Sequence, residues 1–241
     1  MRILSIGNSF SQDAHRYLSR LGAAAGVPLE TVNLYIGGCS LSRHAENLRT
    51  GACAYDYEPC GEAASRRVSL PEVLEGETFD VVTLQQVSHE SIHPESYTPH
   101  LELLAAAVRK HQPNAKLYLQ ETWAYKDGSD RLRDVARCAS HTEMYERLHA
   151  CYEAAARTVR ADGILPVGGA VCCATRAGIE HMHRDGFHLS LGAGRYLAAL
   201  VWLHALTGAP FDAEDGFTDF DEPISPALRD RLRTAAAYAF S

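Results

Sequence analysis

The sequence predicts an α/β protein in which a parallel sheet is covered by helices on both faces, and two observations carry that expectation. Short apolar segments recur along the 241 residues without polar alternation, and stretches of helical period separate them. A strand wet on one face alternates apolar and polar residues, whereas these runs read as buried on both sides. Strand and helix repetition with right-handed crossovers then gives a three-layer α/β/α sandwich of flavodoxin-like type with about five parallel strands.

Taken in order, the strands are expected at residues 3–6, 32–36, 81–84, 117–119 and 164–167. The first helix follows from the stripe Phe10, Ala14, Tyr17, Leu18, Leu21 and Ala25, ended by Gly26 and Pro28. A second is expected over 99–111, with Thr98 as N-cap, Pro99 at the first helical position and Pro113 beyond the end. The third is long, over 142–160, and carries Met144, Tyr145, Leu148, Tyr152, Ala155 and Val159 on its apolar side. A fourth follows Ser190, and Ser225-Pro226 opens a fifth. The stretch 50–70 fits neither period and reads as a hairpin or lid inserted into one domain over residues 1–241.

Composition removes several function classes. A formal net charge of −7 leaves no basic stripe for nucleic acid or an anionic membrane, so neither partner is expected. No apolar run reaches membrane-spanning length, and a first strand starting at Arg2 leaves no room for a leader, so the expected location is cytoplasmic. The seven cysteines (Cys39, Cys53, Cys60, Cys138, Cys151, Cys172 and Cys173) are scattered and lack C-x-x-C spacing. That pattern disfavours a disulfide framework or a structural zinc site, although Cys53 and Cys60 flank a short loop and could pair in an oxidising compartment. Cys172 and Cys173 read as packing residues after the fifth strand.

Ligands of open parallel sheets sit beyond the carboxyl ends of the strands. The loops to inspect are therefore 7–12, 37–42, 85–91, 121–127 and the chain from Gly168 onward. In the first of these, within RILSIGNSFSQD, Ser9 stands where strand one stops and helix one begins. Unpaired backbone N–H groups there favour developing negative charge, which suits an acyl-transfer nucleophile. The same position equally suits a helix N-cap, with Ser11 as an alternative cap. A nucleophilic hydroxyl also needs a base, and the base an orienting group. Among twelve histidines, His188 is distinguished by RDGFHLSLGAGRYLAAL, where Asp185 precedes it by three residues and Gly186 frees the turn.

Together these blocks resemble the SGNH (GDSL-like) hydrolases, specifically a branch that begins I-G-N-S-F. The residues that carry the resemblance are Gly7-Asn8-Ser9, then Gly37-Gly38-Cys39-Ser40, a polar cluster after strand three, and Asp185-x-x-His188-Leu-Ser-x-x-Gly. The resemblance implies the sandwich fold, Ser9 as nucleophile and oxyanion donor, and Asp185 and His188 as acid and base. It also implies a second-block glycine as oxyanion donor, either Gly37 or Gly38, with Gly38 favoured because it lies further into the loop. The third block departs from the family's G-x-N-D, since LQQVSHES holds no asparagine. A glutamine amide offers the same donor, so Gln86, or failing it Gln85, is the expected substitute, unless both simply satisfy loop backbone.

The function so implied is hydrolysis of carboxylic esters, short acyl esters such as O-acetyl groups on carbohydrate among them, with no cofactor. Trp123, Tyr125 and His89 on the functional-side loops are the candidate substrate contacts, with packing as the plainer role for the aromatics. Glu90 and His93 join His89 as possible pocket residues, and Tyr55 and Tyr57 share the aromatics' ambiguity. A conventional α/β-hydrolase is disfavoured because Ser9 lacks a G-x-S-x-G elbow. Two other readings stay open: a metal-dependent hydrolase using His181, His183, Asp185 and His188 in HMHRDGFH, and a non-catalytic flavodoxin-like binding module.

Overall fold

The apolar runs at residues 3–6 and 81–84 become the centre of the sheet because they are covered by helices on both faces. A computed structural model describes residues 1–64 and 66–241. Its strands are β1 (Arg2–Gly7), β2 (Glu30–Tyr35), β3 (Tyr55–Pro59), β4 (Arg66–Val68), β5 (Val81–Leu84), β6 (Lys116–Gln120) and β7 (Gly163–Leu165). They form one sheet in the order β4-β3-β2-β1-β5-β6-β7. Five strands, β2, β1, β5, β6 and β7, run parallel, in register Ser5 to Asn33, Ser5 to Thr83 and Thr83 to Tyr118.

The helices are α1 (Ser9–Ala24), α2 (Leu41–Thr50), α3 (Leu70–Gly76), α4 (His100–His111), α5 (His141–Val159), α6 (Val167–Arg176), α7 (Ala193–Thr207) and α8 (Pro226–Tyr238). In one layer α1 packs on α7, and α7 on α6 and α8; in the other, α2 meets α3 and α4, and α4 meets α5. The result is a three-layer α/β/α sandwich with a mostly parallel sheet. Helix α7 is buried almost all round from Tyr196 to Leu203, which explains its run of apolar residues without a polar face.

Several boundaries differ from the sequence reading, each for a local reason. The 50–70 stretch extends the sheet edge: β3 pairs antiparallel with β2 and β4 with β3, so it is a hairpin within the sheet rather than a cover over its end. Helix α4 begins at His100, with Pro99 in the cap position; Thr98 does not cap it, because its hydroxyl donates to the Glu102 carboxylate. Strand β7 stops at Leu165 because Pro166 has no N–H for a ladder, and α6 begins immediately, so Gly168 and Gly169 are helical rather than loop. Helices α2, α3 and α6 were not anticipated, although Ser69 and Glu72 form a capping box at α3. All seven cysteines are free thiols, Cys53 and Cys60 included. Among the described residues no helix is long and apolar enough to cross a membrane.

The core also encloses neutral histidines. His15 bonds the Ser5 hydroxyl at 2.7 Å and sits edge-on to Trp202, while His44 bonds Tyr55 at 2.9 Å and stacks on its ring. Burial holds both down to about 3. Between that value and the ordinary histidine range the unfolded chain binds protons that the folded protein refuses. Stability is therefore full above about pH 6.5 and falls on acidification, by about 1.4 kcal/mol per pH unit for each such histidine. Urea unfolding followed between pH 7 and 5 should show this decline, and His44→Gln should flatten it; an unchanged slope in that variant would contradict the assignment.

Candidate active site

The loop after β1 is built around Asn8 rather than Ser9. Asn8 is the N-cap of α1: its Oδ1 accepts from the Phe10 N–H at 3.0 Å, and Ser11 completes the capping box by accepting from the Asn8 N–H at 3.1 Å. Gly7 permits this, since a Cβ there would lie 2.0 Å from the Ser11 hydroxyl oxygen. The Asn8 amide also donates to the Cys39 carbonyl at 3.0 Å and accepts from Gln85 at 2.6 Å, so it ties together the loops that follow β1, β2 and β5.

With the cap filled by its neighbour, Ser9 is left free at the first position of α1, and its Oγ lies 2.9 Å from His188 Nε2. The other ring nitrogen, Nδ1, lies 2.7 Å from Asp185 Oδ2. An ionised carboxylate can only accept, so Nδ1 carries the proton, Nε2 accepts, and the Ser9 hydroxyl donates to it. Burial pushes the Asp185 carboxyl upward, but hydrogen bonds from the His188 ring and from the His188 and Phe187 N–H groups outweigh it and hold Asp185 below the usual carboxylate range. Asp185 thus grips the turn and the ring at once, and Gly186, at φ +90°, lets the chain fold back tightly enough for it.

A second set of contacts, absent from the sequence reading, presses this turn against α1. Asp13 lies one helical turn beyond Ser9 on the same face. It is fully buried and accepts from Arg184 Nη1 at 2.9 and 3.1 Å, from Arg195 Nε at 2.8 Å and from the Leu189 N–H at 3.1 Å. One turn further, the Tyr17 hydroxyl donates to the Leu191 carbonyl at 2.5 Å. The available signal was the charged Asp13 between Phe10 and Ala14 at the border of the apolar stripe of α1, four residues after Ser9.

These groups open on a cleft of about 360 Å³ whose lining includes Ser9, Gly37, Gly38, His89, Tyr125 and His188. The N–H groups of Ser9, Gly37 and Gly38 have no hydrogen-bond partner among the described residues. Gln86 is placed differently from expectation. Its carbonyl accepts from the Leu41 and Val87 N–H groups and its amide donates to Ser96, so this fully buried side chain braces the loop and has no free donor for the cleft. Gln85 likewise points at Asn8 and is not part of the lining.

Trp123 is also a brace. It is completely buried, stacks on Phe10 at 3.9 Å and donates its indole N–H to the Phe187 carbonyl at 2.7 Å, because a buried indole needs both packing and an acceptor. Tyr125 reaches the cleft with its hydroxyl 2.8 Å from Ser88, and His89 is half-exposed at the rim.

The histidine octet does not assemble as a metal centre. His181 is exposed beside Glu180, His183 is buried with Nε2 donating to the Ala124 carbonyl, and only Asp185 and His188 meet. Among the described residues no group of three or more His, Cys, Asp or Glu side chains is placed to share a cation.

The contrast between Asp13 and Asp185 is measurable. Asp13→Ala leaves the partly buried Arg184 without its counter-charge and Arg195 with Asp221 alone, and should lower the free energy of urea unfolding by about 3 kcal/mol. Asp185→Ala removes a half-exposed carboxylate and should cost under about 1 kcal/mol. Equal losses in the two variants would contradict the clamp described for Asp13.

Comparison with known proteins follows from this geometry. Residues 2–220 match the family model described as "Domain of unknown function (DUF4886)". A DUF4886 family protein from Bacteroides uniformis is 34% identical, with the alignment covering 100% of this chain and 94% of that one, at a TM-score of 0.90. A protein from Slackia heliotrinireducens proposed to be an SGNH hydrolase is 26% identical over 85% of this chain and 97% of its own, at a TM-score of 0.62. The aryl esterase of M. smegmatis shares the fold at 12% identity and a TM-score of 0.52, over 86% of this chain and 99% of that one. No curated protein matches the chain. The chain belongs to the DUF4886 family.

Proposed function

We propose that this protein is a serine hydrolase of the SGNH type that cleaves short acyl esters, with O-acetyl groups on carbohydrate among its substrates. The observation that carries this reading is the unbroken hydrogen-bond chain from Ser9 through His188 to Asp185 at the rim of the sheet. A phosphate-binding module would use the α1 N-terminus without needing that chain. Fold-level likeness to an aryl esterase and to a protein proposed to be an SGNH hydrolase agrees with hydrolysis.

In the proposed reaction the Ser9 oxygen attacks the ester carbonyl as its proton passes to His188 Nε2. Asp185 stabilises the imidazolium through Nδ1–H, and the N–H groups of Ser9 and Gly38 receive the oxyanion. The tetrahedral intermediate expels the alcohol, which takes the proton from His188. Water, deprotonated by His188, then attacks the acyl-serine; collapse releases the carboxylic acid and restores the Ser9 hydroxyl. Because Gln86 is committed to Ser96 and the Leu41 and Val87 backbone, the oxyanion is stabilised by backbone donors rather than by a side-chain amide.

Hydrolysis of p-nitrophenyl acetate tests the reading. Ser9→Ala should lower turnover by at least about a thousandfold while the unfolding curve stays close to that of the parent. A fluorophosphonate probe should label the parent at Ser9 alone. Undiminished turnover by Ser9→Ala would overturn the proposal.

A further inference from the structure

The cleft beside Ser9 is electrostatically one-sided. Its lining contains Arg131 and Arg184 and no carboxylate, in a chain whose formal net charge is −7. The charge of Arg184 is answered by Asp13. That of Arg131 is not, although acidic residues crowd its sequence neighbourhood. Asp127 accepts from the His141 N–H, while Asp130 and Asp134 both accept from Arg133. Among the described residues the Arg131 side chain makes no hydrogen bond or ion pair of its own.

What holds Arg131 is a ring. Its guanidinium carbon lies 4.4 Å from the centroid of Phe187, and the Phe187 and His188 rings are 3.8 Å apart. Stacking fixes the plane of a guanidinium without consuming its N–H donors, so the fork remains available to a planar anion. Arg131 also opens the π-helical turn Arg131–Ala136, a local geometry that recurs at functional sites.

We propose that the ester accepted by this cleft carries a carboxylate, which the Arg131 guanidinium receives while the ester carbonyl lies at Ser9. This rests on the hydrolase reading above and narrows its substrate class to anionic esters, such as an acetylated sugar acid or the acyl ester of a hydroxy acid. A neutral ester of the same shape lacks the partner for Arg131 and binds more weakly.

The test reads binding apart from turnover. Calorimetric titration of the Ser9→Ala protein with 4-acetoxybenzoate and with its neutral counterpart 4-acetoxybenzamide should favour the anion by about tenfold or more at low salt, with the preference shrinking as salt is added. Adding Arg131→Ala should abolish the preference, and Arg131→Lys should restore only part of it. Equal affinities, no binding of either compound, or a preference that survives Arg131→Ala would overturn the inference. Turnover of p-nitrophenyl acetate by the parent without anion preference would leave the hydrolase standing and remove this specificity. Anion preference without any turnover would do the reverse.

Discussion

The buried carboxylate of Asp13 is the contact on which the cleft depends. A charge with no solvent access must be compensated fully, and Asp13 achieves this only when Arg184, Arg195 and the Leu189 N–H all converge on it. Those donors come from the turn that carries His188 and from α7. Since Asp13 lies one turn beyond Ser9, meeting its requirement also sets the imidazole against the Ser9 hydroxyl. Two segments remote in sequence are thereby held to hydrogen-bond accuracy by a group that never touches the cleft.

The rest of the site follows from sheet topology. Strand β1 has β2 on one side and β5 on the other, so the chain leaves it in one direction and later returns on the opposite side. A crevice opens where the loops part, and it is there that ligands of such sheets are found. The Asn8 amide spans this crevice by holding Cys39 and Gln85. Behind it, Trp123, Phe10 and Gln86 fill the space and fix the loop backbones. Polar and aromatic side chains near the centre thus divide into those that shape the wall and the few, including Ser9, His188, His89 and Arg131, that face the opening.

Local chemistry made much of this legible. The apolar runs at 3–6 and 81–84 announced strands covered on both faces, the Phe10 to Leu21 stripe announced α1, and Ser225-Pro226 marked the start of α8. The blocks around Ser9 and Asp185-His188 were readable because each is a short stretch whose internal spacing already limits its geometry. Helix α2 gave no comparable signal because it is short and polar overall, and half of its buried face, His44 and Asn47 beside Leu41 and Ala45, is polar. For 50–70 the sequence left hairpin and lid unresolved, because the pairing that makes it part of the sheet is set by the edge of β2 and not by its own period.

By itself, then, the sequence determined the layered parallel sheet, the order of its main elements and the two short blocks that meet at its rim, because periodicity and local turn chemistry act over a few residues. Tertiary structure alone decided which side chains face the cleft. It turned Trp123 and Gln86 into wall, gave the cap of α1 to Asn8, recruited Asp13 as the clamp and left Arg131 without an acid. Such outcomes depend on which donors and acceptors remain unmatched once distant segments have packed, and no single stretch of sequence contains that information.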